Sequence, residues 1–89
     1  MTFNNDSYNL VLITIYNLAE NTGHKTAKIS DITKETGIEG QQLLNILIEA
    51  ENQSLLKQFA RGSVLHNPGK AASVSLTNIG ISYVLSLDS

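Results

Sequence analysis

The stretch from Ile29 to Leu47 constrains this chain most, because two short apolar patterns meet there at a single glycine, Gly37. On the N-terminal side, Ser30 is placed to cap a short helix over residues 31–36. Asp31 falls in its first turn, where the helix dipole favours an acid. Gly37 ends that helix most simply as a left-handed residue just past its C-terminus. After a tight turn, a longer helix is expected from about Gly40 to Asn52, carrying Leu43, Leu44, Ile46, Leu47, Ile48 and Ala50. Ile29, Ile32, Ile38, Leu43, Ile46 and Leu47 then supply apolar contacts across two crossing helices, the spacing of a helix-turn-helix.

The flanks have their own patterns. Asp6 or Ser7 can cap a first helix that ends near Asn21-Thr22-Gly23. At one helical turn per 3.6 residues, Tyr8, Val11, Leu12, Ile15, Leu18 and Ala19 share a face, and Leu10 and Ile13 are surplus to it. Gly23 to Lys28 reads as a loop, with Ala27-Lys28-Ile29 able to form a very short strand. Downstream, Leu55 to Ala60 and Val64-Leu65-His66 have strand character. Asn67-Pro68-Gly69-Lys70 suits a type II turn, and Ala72, Val74 and Leu76 alternate with Ser73 and Ser75 as a return strand. Thr77 can cap a last helix from Asn78 to about Leu87, with Gly80, Tyr83, Val84 and Leu87 facing the core and Gly80 permitting close packing. The fold class expected is therefore α+β, mostly helical, with a three-helix core, a β-hairpin and a C-terminal helix in one domain spanning residues 1–89.

Several function classes drop out on composition. With 42% hydrophobic residues the chain is too apolar to stay disordered. It has no cysteine, which excludes a disulfide scaffold and thiol chemistry. His24 and His66 have no zinc-ligand spacing, so no metal is expected. No Ser-His-Asp arrangement, phosphate loop or paired acids suggest catalysis, so neither an enzyme nor a cofactor is expected. The most apolar run, Leu10 to Ile15, is far short of the ~20 residues that cross a bilayer. The N-terminus has no base before Lys25, unlike a signal peptide, and a cytoplasmic location without membrane contact is the default expectation. The net charge of −2 does not by itself advertise a nucleic-acid binder.

Helix, short helix, glycine turn, helix, hairpin, helix is the order of elements. With Gly37-Ile38 before the third helix, Leu55-Leu56 opening the hairpin and Ser75-Leu76-Thr77-Asn78-Ile79-Gly80 closing it, the chain resembles a winged helix-turn-helix domain. The pattern is similar to that of the multiple-antibiotic-resistance-repressor type of bacterial and archaeal regulator, over roughly residues 7 to 87. In this resemblance the helix-turn-helix is 30–52, the wing 55–76 and the C-terminal helix 78–87. The resemblance implies a transcriptional regulator that binds double-stranded DNA with the third helix in the major groove. Gln41, Gln42 and Asn45, flanked by Glu39, Gly40 and Glu49, would face base edges. Gln and Asn suit adenine because each amide donates and accepts. Arg61 and Lys70 on the wing, with His66, would touch phosphate, and Lys25, Lys28 and Lys34 would hold the backbone near the first turn.

The chain departs from that pattern at particular positions. No base lies between Lys34 and Lys57, while Glu35, Glu39, Glu49 and Glu51 all do. Glu39 is a poor helix cap, and Ser54 stands where a glycine commonly precedes the wing. Leu44 and Ile48 fall on the stripe that should be polar. They are either core residues of a helix turned from this alignment or a docking surface for another protein. The second possibility makes the chain a winged-helix protein-interaction module that does not bind DNA. Gln41, Gln42 and Asn45 are equally open to being ordinary solvated residues. Finally, Leu10 and Ile13 on the first helix, with Ile81 and Leu85 on the last, are expected to form one apolar patch and build a homodimer.

Overall fold

A computed structural model describes residues 5–23, 26–59 and 73–87. Among these residues the chain is α+β and mostly helical, with four helices and a two-stranded antiparallel sheet. The order is α1 (Asn5–Thr22), β1 (Ala27–Lys28), α2 (Ile29–Thr36), α3 (Gly40–Asn52), β2 (Ser73–Val74) and α4 (Asn78–Leu87). No helix among the described residues is long and apolar enough to cross a membrane.

α1 buries the face its periodicity predicts. Tyr8, Val11, Leu12 and Ile15 are core residues, while Leu18 and Ala19 are half-buried nearer the helix end. Thr14 is buried as well, so the covered arc is wider than the aliphatic stripe alone. Ala27 and Lys28 pair with Val74 and Ser73, and this short strand runs without a gap into α2. The expected Ser30 cap is corrected by that continuity. α2 begins at Ile29, Lys28 occupies the cap position with extended backbone, and Ser30 lies in the first turn.

The two arms of the expected hairpin meet at their base. Leu56 bridges Leu76 in antiparallel sense, and the Lys57 amide donates to the Ser75 carbonyl at 2.9 Å. The 73–76 segment thus has β1 on one side and the 55–57 arm on the other. The alternation read from the sequence is present there, with Val74 and Leu76 buried, Ser73 exposed and Ser75 half-exposed. The turn at Asn67–Lys70 lies outside the described residues.

Between α3 and α4 the backbone makes a compact junction. α3 ends in the paired-bond cap of a Schellman motif: the Leu55 amide donates to the Ala50 carbonyl (2.9 Å) and the Ser54 amide to the Glu51 carbonyl (3.0 Å). Such a motif needs a left-handed residue at its bend, and Ser54 adopts φ 65° there. Thr77 then ties the junction to α4. Its hydroxyl donates to the Ser54 carbonyl (2.5 Å) and accepts from the Gly80 amide (3.0 Å), the capping expected of it. Its own amide donates to the Leu55 carbonyl at 3.0 Å. Gly80 lies directly over Leu55. A Cβ on it would meet the Leu55 carbonyl oxygen and stand 2.9 Å from the carbonyl carbon. Of the face expected for α4, Gly80 and Val84 are buried and Tyr83 half-buried. Leu87 is exposed, a correction that reflects a core ending at Val84.

Candidate nucleic-acid interface

The turn between α2 and α3 is held from both sides. The Gly37 amide donates to the Thr33 carbonyl at 2.7 Å with Gly37 at φ 74°, the left-handed stop that the sequence predicts. The Thr36 hydroxyl donates to the Ile32 carbonyl (2.7 Å) and accepts from the Ile38 amide (3.1 Å), so the chain leaves α2 on a fixed heading. Ile38 is buried and anchors the turn to the core. Glu39 is fully extended, and its side chain makes no capping bond. Gly40 follows at φ 63° and starts α3. The resemblance offers Gly40 as a base-facing position, yet its conformation assigns it a backbone role. A left-handed residue directly after an extended one turns the chain into the helix, and an L side chain there is strained.

α3 buries Leu43, Leu44, Ile46, Leu47 and Ala50. At about 100° per residue these cover some 160° of the helix circumference. Leu44 is only 7% exposed, and Ile48 is half-buried against the core. Of the two alternatives the sequence leaves open, Leu44 thus takes the core one, and Ile48 is partly covered, because α3 is enclosed on more than one side. The remaining arc is polar. Gln41, Gln42 and Asn52 are exposed, and Asn45 and Glu49 are half-exposed. The Gln41 Nε2 donates to Asn45 Oδ1 at 2.8 Å, one helical turn apart. The two amides are joined, and Gln42 beside them is exposed.

Charge around this face is divided along the chain. Lys28 on β1 and Lys34 on α2 are exposed, as are Glu35 and Glu39 beside them. Arg61 and Lys70, together with Lys25, His24 and His66, lie outside the described residues. The sequence nevertheless separates the signs. Residues 52–87 contain Lys57, Arg61 and Lys70 and no acid, whereas residues 1–51 contain seven acids and three lysines. The net of −2 therefore hides a segment, residues 52–87, of +3. Composition totals conceal this signal, which a windowed count recovers.

At the opposite end of the core, α1 and α4 meet through tyrosines. The Tyr8 and Tyr83 rings pack edge to face with centroids 6.4 Å apart, and the Tyr83 hydroxyl donates to Asn9 Oδ1 at 2.7 Å. Burial, then the neighbouring Tyr83 and Glu49, push the Tyr8 hydroxyl up to about 12. Leu10 and Leu85 are 44% and 51% exposed, and Ile13 and Ile81 pack partly against the core. Each leucine is two residues from its helix's contact tyrosine, hence about 160° around the helix from it. Of the four residues expected to form one apolar patch, Leu10 and Leu85 are thus exposed, and Ile13 and Ile81 are partly covered. Among the described residues, no group of three or more His, Cys, Asp or Glu could hold a metal ion. Comparison of the chain with protein-family models, curated proteins and solved structures returns no match.

Proposed function

We propose that this chain is a winged helix-turn-helix DNA-binding protein, a transcriptional regulator that reads the major groove with α3 and holds phosphate with its hairpin. The observation that carries this reading is the outward arc of α3. With Leu44 inside and Ile48 half inside, the surface offered to a groove carries the amides Gln41, Gln42, Asn45 and Asn52, with Glu49 half-exposed among them. Amides are the side chains that pair bidentately with adenine. The separation of charge supports it further, because the acid-free 52–87 segment contains Lys57, Arg61 and Lys70, and Lys28 and Lys34 are exposed.

A homodimer belongs to the same reading, since two recognition helices match a two-fold operator. The exposed Leu10 and Leu85, with the partly covered Ile13 and Ile81, offer apolar surface for it. One observation favours a second reading, a protein-interaction module: Glu35 and Glu39 are exposed beside the N-terminus of α3 and would repel phosphate there. Electrophoretic retardation of random-sequence duplex at low salt separates the two. Retardation that weakens uniformly in Arg61→Ala and Lys70→Ala supports the DNA reading. Absence of retardation at any attainable concentration transfers the assignment to a protein partner.

A further inference from the structure

We draw no further inference here: the strongest candidate, the outer face of α4, where Ile79 and Leu85 are exposed on a helix without a charged residue, carries nothing beyond the pairing already proposed, because nothing in the structure shows what covers it.

Discussion

Replacing Gly80 by alanine puts a methyl group where α4 crosses the backbone of Leu55. That methyl would meet the Leu55 carbonyl oxygen and lie 2.9 Å from its carbon and 3.2 Å from its Cα. Carbon atoms in contact prefer about 3.5–4.0 Å, so α4 must retreat by something close to 1 Å. Leu55 cannot yield easily, because its amide is bonded to Ala50 and its carbonyl to Thr77. Overpacking of this kind costs about 1–3 kcal/mol, with the upper part applying where backbone meets backbone. A retreat of α4 also stretches the Thr77 bonds to Leu55 and Ser54, each contributing about 1 kcal/mol. Against this, alanine gains up to about 1 kcal/mol of helix propensity over glycine. The net expected loss is about 2–4 kcal/mol. For a chain of this length that lowers the melting midpoint by roughly 10–25 °C. Thermal and urea unfolding followed by circular dichroism measure it directly. A Gly80→Ala protein as stable as wild type would refute the close crossing of α4 over Leu55, and with it the geometry of the α3–α4 junction.

Ser54→Gly acts in the opposite direction at the same junction. Relief of a left-handed serine, about 1–2 kcal/mol, less the added freedom of the unfolded chain, should stabilise by about 0.5–1 kcal/mol, and an unchanged or lower midpoint contradicts the cap assigned to α3. Tyr8 ionises near 10 in the unfolded chain but only near 12 when folded, so folding favours its neutral form. That stability is complete below pH 10 and lost as pH rises towards 12, by no more than about 3 kcal/mol; Tyr8→Phe should lack this loss, and identical alkaline profiles would contradict it. Sedimentation equilibrium at micromolar concentration should find the wild type at twice the 9.7 kDa chain mass, with Leu10→Glu and Leu85→Glu, tested singly, identifying which leucine holds the pair. A wild-type species of one chain mass ends the dimer.

What the sequence made legible has a common cause: a signal written in local backbone chemistry. Gly37 is a stop because only a left-handed residue closes α2 there. Thr77 is a cap because its hydroxyl can satisfy the Gly80 amide without help from distant residues. The failures involve distant partners. Ser30 has a capping side chain, yet pairing of β1 with the return strand carries the chain into α2 two residues earlier. For Leu44 and Ile48 the sequence left core and docking surface both open, and only the packing around α3 decides, with Leu44 buried and Ile48 half-buried. Periodicity identified Leu10 and Leu85 as surplus, and both are exposed, but it could not relate the two helices, which meet through Tyr8 and Tyr83. Of the proposed phosphate contacts, Lys28 and Lys34 are exposed as expected, whereas Arg61 and Lys70 fall outside the described residues.

The central claim, that α3 and the hairpin engage duplex DNA, is tested most directly by a salt titration of binding. Fluorescence anisotropy of a labelled duplex is read from low to physiological salt. The account predicts a linear fall of log affinity with log salt, at about 0.9 per phosphate contacted, and a slope smaller by about one in Arg61→Ala or Lys70→Ala. No binding at low salt, or binding indifferent to salt and to both substitutions, would contradict it.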